Sequence, residues 1–332
     1  MFETLGVSCE PGSKASGRPV IGETRDGSPI SLPVRIVSGA SDGPVLCLTG
    51  VIHGDELNGW AAINRICDEV DPKKLSGTIV AFPLSNPFAF MTKSRISALD
   101  YERLNLNRVF PGNPNGLITE RLAAAIYQGG IEKADYHIDF HEGGYDFIAR
   151  YLWVQRVDNP EIDEKNVDLA RAFGMGVPIN LVTLAPDARR LGYGGSSGVS
   201  ANMRGIPSIC NELGGAGRLW PEHVETSVNG VRNVMKHIGM LSGDPVTVEG
   251  PQHLALENSW PRPKHGGFWE QVIGLGDIVE EGQLVGRVRN AFGEVVEEMH
   301  APYRSIILDI RNSAAIMTGE WTVNCARIPE DA

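Results

Sequence analysis

The chemistry-bearing residues begin with Gly50-Val51-Ile52-His53-Gly54-Asp55-Glu56, a turn that follows a short apolar run. An imidazole and a carboxylate three positions apart in such a turn can address one ion, and Gly50 and Gly54 are expected to let the backbone bend there. A catalytic zinc takes three protein ligands and keeps a fourth position for water. His141, which closes Tyr136-His137-Ile138-Asp139-Phe140-His141, is the candidate for the third. Asp139 shares its face by strand alternation and suits a carboxylate that orients a ligand from behind. His137, one step deeper, reads as a core or supporting histidine. A His-x-x-Glu alone is a weak motif. Its weight here comes from a second histidine at another strand's carboxyl end.

A hydrolytic ion also needs a base for its water. Glu212, in Ile209-Cys210-Asn211-Glu212-Leu213-Gly214-Gly215, is expected just after an apolar strand and before glycines that permit close approach. It is the expected general base and later acid, outside the metal shell. Glu142 and Asp55 rank behind it, since both can instead satisfy backbone or basic groups. Ser94-Arg95-Ile96 and Leu104-Asn105-Leu106-Asn107-Arg108-Val109-Phe110-Pro111-Gly112 supply guanidinium and amide groups suited to a carboxylate. Arg103 reads as a surface ion pair.

These residues must be positioned by strands and helices that the pattern also indicates. Val45 to Ile52 is short and apolar, as in a strand buried on both faces. Leu57, Trp60, Ala61, Ile63, Ile66, Cys67 and Val70 then recur at helical spacing. Further strands are expected over Thr78 to Leu84, Tyr136 to Phe140 and Pro207 to Cys210. Helices are expected over Glu120 to Tyr127, Asp163 to Phe173 and Pro221 to Ile238. Strands alternating with helices imply an α/β domain with a largely parallel or mixed central sheet, whose ligand sites lie beyond the strands' carboxyl ends. Breakers between Leu241 and Pro263 mark a boundary. Beyond it, Gly266-Gly267-Phe268, Val272 to Leu275, Leu284 to Val288, Val295-Val296 and Ile306 to Ile310 read as an all-β module. The expected division is an N-terminal β segment (1–43), an α/β domain (44–245) and a C-terminal β module (250–332).

Composition narrows the function classes. The 332 residues carry 30 Lys+Arg against 41 Asp+Glu, a net charge of −11, which opposes binding to nucleic acid or an anionic membrane. No run approaches the ~18 apolar residues of a membrane span. Met1 to Gly17 lacks a signal-peptide pattern, so a cytoplasmic location is the default. The five cysteines are scattered without a CxxC pair and read as reduced, mostly buried thiols.

The order His53-x-x-Glu56, Arg95, Asn107-Arg108, His141, Glu212 resembles the succinylglutamate desuccinylase/aspartoacylase family of the zinc carboxypeptidase-like fold. The resemblance covers roughly residues 45–240. It rests on Gly-x-x-His-Gly-Asp-Glu, Leu-Asn-Arg-x-Phe-Pro-Gly, Asp-x-His and Glu-x-Gly-Gly in combination. It extends, in length and in the β module, to bacterial N-acyl amino acid deacylases, including the diaminobutyrate deacetylases. It implies one zinc per chain on His53, Glu56 and His141, Glu212 as base, Arg95 polarising the scissile carbonyl, and Asn107 with Arg108 clamping the substrate's carboxylate. The implied activity is hydrolysis of the amide of a small N-acyl amino acid, with the β module walling the cleft against polypeptides. Self-association into a homo-oligomer is compatible with it. Two positions depart from the family pattern. Asn105 stands where Asp is usual, and Glu142 follows the third ligand where a small or hydroxyl residue is usual. An acid there would meet a cationic substrate group, a second ion or a nearby arginine.

Three other readings stand beside this one. Gly194-Gly195-Ser196-Ser197-Gly198 matches the serine-hydrolase GxSxG, but the elbow should follow a buried strand and open a helix. Here polar Pro186 to Tyr193 precedes it, no clear helix follows before Pro221, and a flexible loop at the site's mouth is expected. A metal-independent esterase would use Ser196; a non-catalytic protein would bind the acyl amino acid without turnover. Leu275 to Leu284 resembles the lipoyl/biotinyl carrier sandwich, but no lysine follows Lys264, which excludes a carrier role. A His₂Glu site also accepts cobalt or manganese.

Overall fold

The computed structural model describes residues 1–183 and 195–329. Its centre is one mixed sheet. Ser41–Thr49 runs parallel to Ser76–Phe82 on one side and to Tyr136–His141 on the other, and Tyr136–His141 runs parallel to Ser208–Gly215. Phe147–Arg156 then adds antiparallel to Ser208–Gly215. The sheet does not stop at residue 250: Ser305–Arg311 pairs antiparallel with Phe147–Arg156, and Asn324–Arg327 pairs with Ser305–Arg311. At the opposite edge Val34–Ser38 and Ser13–Gly17 extend it, so the early short strands are part of the same layer.

Helices cover both faces. Asn58–Glu69, Pro160–Phe173 and Pro221–His237 bury Ile63, Ile66, Leu169, Phe173, Val231 and Met235 against Leu46, Leu48, Ile138, Phe140, Ile209 and Leu213. Ile118–Gly129 covers part of the other face with Leu122, Ala123 and Ile126 against Cys47, Val80 and Phe82. The alternation of strand side chains therefore assigns His137, Asp139 and His141 to this second face, with Ser208, Cys210 and Glu212 beside them. A four-stranded antiparallel sheet, Val295–His300, Leu284–Arg289, Gly267–Gln271 and Ala315–Ile316, packs around Trp269, Val285, Val288 and Met299. Among the described residues no helix is long and apolar enough to cross a membrane.

The structure corrects several boundaries. The first strand ends at Thr49, not Ile52, and Glu212 lies within Ser208–Gly215 and not after it. Phe147–Arg156 and Ile179–Thr183 are strands with no counterpart in the sequence expectation, and Val272 to Leu275 forms none. A helix, Ser197–Met203, does follow Ser196. The glycine argument also changes. Val51, not Gly50 or Gly54, takes the left-handed conformation, at φ +51°. This is a strained setting for a β-branched residue, at a cost on the order of 1–3 kcal/mol. Gly54 is required for a different reason: a Cβ there would meet the Ala89 carbonyl carbon at 1.9 Å.

Candidate metal centre

The strand tip ending at Thr49 and the one ending at His141 lie side by side, and the turn after Thr49 carries His53 and Glu56 back over that junction. His53 Nδ1 lies 2.7 Å from Glu56 Oε1, His141 Nδ1 lies 2.6 Å from Glu56 Oε2, and the two Nδ1 atoms are 3.1 Å apart. All three residues are buried, and they are the His/Cys/Asp/Glu group among the described residues with metal-ligand spacing. Donors around a tetrahedral zinc with bonds of ~2.0–2.1 Å sit about 3.3 Å apart. The observed separations fall just inside that, so the three donor atoms already crowd around one point.

The far ring nitrogens decide which lone pairs face that point. His53 Nε2 donates to Asn105 Oδ1 at 3.1 Å, and the same oxygen accepts from Asn107 N at 2.9 Å. His141 Nε2 donates to Asp139 Oδ2 at 2.9 Å. With a proton fixed on each Nε2, both Nδ1 atoms are left to act as ligands, the usual arrangement of a metal-bound histidine. Two imidazoles and one carboxylate, with no fourth protein donor among the described residues, fit a catalytic zinc site. Asn105 thus fills the orienting place on His53 with a neutral amide.

Asp139 is held from three sides: it accepts from Thr49 Oγ1 at 2.6 Å, from His141 and from Ser197 Oγ. His137 is bonded by Thr49 Oγ1 and Ser208 Oγ, each at 2.9 Å, and burial pushes its pKa down to about 4. It is a satisfied core histidine. Burial likewise lowers His53 to about 4, against the pull of Glu56. Burial works against a charge on His141 too, but Asp139 and Glu56 outweigh it and hold its pKa well above the usual value. Glu56 is held well below the usual carboxylate range, because His53 and His141 outweigh its desolvation.

Glu212 stands directly across from His141 in the parallel pairing, on the same face and partly open to solvent. Burial raises its pKa to about 8, with Glu56 and Asp309 adding to the rise and His141 and Arg95 opposing it. Arg95 reaches the cluster from an exposed loop and donates to Glu56 Oε1 at 2.7 Å. Asn107 Nδ2 approaches His141 Nε2 at 3.2 Å while its Oδ1 accepts from Ser197 N at 3.0 Å. Arg108 Nη1 donates to the Asn107 carbonyl at 2.7 Å. All seven predicted site residues therefore gather at one end of the sheet.

Glu142 takes the backbone-satisfying role that the sequence reading left open to it. It accepts from Leu57 N at 2.6 Å, from Asn58 N at 3.2 Å and from Asn58 Nδ2, at the start of helix Asn58–Glu69. It caps the helix that follows the ligand turn. Asp55 is also buried, with Oδ1 unpartnered. Ser196 caps the short helix Ser197–Met203, its Oγ accepting from Val199 N at 3.2 Å, which turns that hydroxyl toward backbone. Gly194 and the preceding Pro186 to Tyr193 lie outside the described residues. The residues that sequence reasoning missed are Thr49, Asn58 and Ser197. Only Ser197 carried a signal, through its place in the GxSxG match.

The model of the succinylglutamate desuccinylase/aspartoacylase catalytic domain matches residues 42–238. The chain belongs to the succinylglutamate desuccinylase/aspartoacylase family. It is 27% identical over 307 residues to the N-alpha-acetyl-L-2,4-diaminobutyric acid deacetylase of Halomonas elongata, spanning 91% of this chain and 87% of that one. A succinylglutamate desuccinylase from Silicibacter sp. TM1040 superposes with a TM-score of 0.83 at 24% identity, covering 99% of this chain and 100% of that one. The product-bound ectoine utilization protein of Ruegeria pomeroyi superposes at 0.82 and 24%, covering 98% and 99%. The mixed sheet with an antiparallel C-terminal β region is thus the fold of this deacylase family.

Proposed function

We propose that this family member is a zinc-dependent deacylase that hydrolyses the amide of a small N-acyl amino acid, with acetylated diaminobutyrate the first substrate to test. The observation that carries the reading is the convergence of His53, Glu56 and His141 donors with both far ring nitrogens already occupied. The Halomonas elongata relative's name supports the amide and the diamino acid. In this reading residues 44–245 carry the chemistry and 250–332 wall the cleft.

His53, Glu56 and His141 would hold the ion, which supplies a Lewis acid and lowers the pKa of water to ~7. Glu212, across from His141, takes a proton from the attacking water and returns it to the departing amine. Arg95 donates to the oxygen that gains charge as the acyl carbon becomes tetrahedral. Asn107 and Arg108 orient the substrate's carboxylate so that the acyl carbon faces Glu212's water. Ser197 and Asp139 keep His141 and Asn107 in register.

The test is elemental analysis with turnover of a panel of N-acetyl and N-succinyl amino acids, with and without chelator. About one zinc per chain and chelator-sensitive hydrolysis are expected. In Glu212→Gln, zinc should stay while turnover falls by about 10²–10⁴-fold. A metal-free chain whose activity ignores added zinc would overturn the proposal.

A further inference from the structure

The face that carries Glu212 continues into the C-terminal region, and a second buried acid lies on it. Tyr151 stands across from Glu212, and Ala149, one alternation along the same strand, stands across from Asp309 in Ser305–Arg311. Alternate residues share a face, so Glu212, Tyr151 and Asp309 form one row. From strand spacing and rise, the Glu212 and Asp309 backbones are about 12 Å apart, with both side chains on the same face of the sheet.

Asp309 is 3% exposed, and one oxygen accepts from Asn324 Nδ2 at 3.0 Å. Asn324 is 1% exposed, and among the described residues its Oδ1 has no hydrogen-bond partner. Burial pushes Asp309 up to about 7, against the hydrogen bond from Asn324. A buried carboxylate beside an unpartnered carbonyl is a place short of N–H donors, and such groups are costly unless something donates to them. Three other acids near the metal donors are engaged, Glu56 by His53, His141 and Arg95, Asp139 by Thr49, His141 and Ser197, and Glu142 by the helix start, while Asp55 keeps one unpartnered oxygen.

We propose that Asp309, with the Asn324 carbonyl, receives the cationic amine of a diamino-acid substrate while its acylated nitrogen lies at Glu212. This rests on the deacylase reading and names the residue that sets its substrate class. An ammonium brings several donors and a charge, which the pair lacks; a neutral side chain would leave both acceptors unpaired.

The experiment is steady-state kinetics of the zinc-loaded full chain on N-acetyl-2,4-diaminobutyrate and on N-acetylnorvaline, its uncharged isostere, for wild type and Asp309→Asn. Wild type should favour the cationic substrate. The variant should raise KM for it by about 10- to 100-fold, the loss of one charge-assisted contact, with kcat and zinc content near wild type and norvaline cleavage unchanged or faster. Equal loss on both substrates would make Asp309 structural and overturn the inference, as would a wild type indifferent to the charge. A wild type that cleaves neither removes the deacylase reading, and this inference with it.

Discussion

Glu142 offers the sharpest test of whether a carboxylate beside the site is part of its chemistry or of its frame. In Glu142→Gln the shape is kept, and one oxygen can still accept from Leu57 N. The other position becomes an amide NH₂ facing two donors: Asn58 N loses its acceptor, while Asn58 Nδ2 keeps the Arg218 carbonyl. Each buried donor left unpaired costs about 1–3 kcal/mol. Losing the negative charge at a helix start adds about 0.3–1 kcal/mol where that carboxylate is ionised. The expected destabilisation is therefore about 1–4 kcal/mol, or on the order of 1–6 °C in Tm for a chain of this size. Calorimetry with parallel zinc analysis reads it out. A variant with an unchanged Tm that has lost zinc, or lost affinity for a cationic substrate, would refute the capping role and restore the options of second ion or substrate contact.

Three further outcomes follow from the same geometry. Asn105→Ala frees His53 to turn or change tautomer and should weaken zinc binding by about 10- to 100-fold in a competition titration; an unchanged affinity would remove Asn105 from the site. Ser196→Ala should keep its deacylase activity and lose about 1 kcal/mol of stability from the cap, whereas loss of turnover with zinc retained would revive the serine reading. Asp309 has a folded pKa of about 7 against an ordinary 3.8, so the native state holds a proton that the unfolded chain releases in between. Its contribution to stability thus falls as pH rises from about 4 to 7. Asp309→Asn should therefore be more stable than wild type at pH 8, by a few kcal/mol at most, and little different at pH 4. Denaturant melts showing the same difference at both pH values would contradict this.

The candidate donors could be read from the sequence because each sits in a short local pattern. His53 and Glu56 share one turn, and Asp139 and His141 share one face two residues apart. Asp139 could be read as an orienting group in the same way, but the pairings of Asn105 and Glu142 could not, because they arrive from elsewhere: Asn105 meets His53 from 52 positions away, and Glu142 caps a helix that begins 84 positions before it. The same limit hid Phe147–Arg156. Its polar positions, Arg150 and Gln155, blur the apolar run by which a buried strand is read, and they make sense only once the neighbouring strands are known.

The boundary error at Glu212 has a more specific cause. A strand covered on both faces should be apolar throughout, but in Ser208–Gly215 only Ile209 and Leu213 enter the helix-covered core, with Asn211 between them bonded to Ser227, while Ser208, Cys210 and Glu212 face the other way. Tyr136–His141 breaks the pattern in the same way, with Ile138 and Phe140 against His137, Asp139 and His141. Read by apolar content alone, such a strand ends where its polar residues begin, which is why Asn211 and Glu212 looked like loop. Read by alternation, two adjacent strands that turn polar on one face mark a site between them, since burying those groups is tolerable only where they bond one another or a ligand. The Ser208–His137–Thr49–Asp139–His141 chain of hydrogen bonds is that compensation, and it runs toward the metal donors.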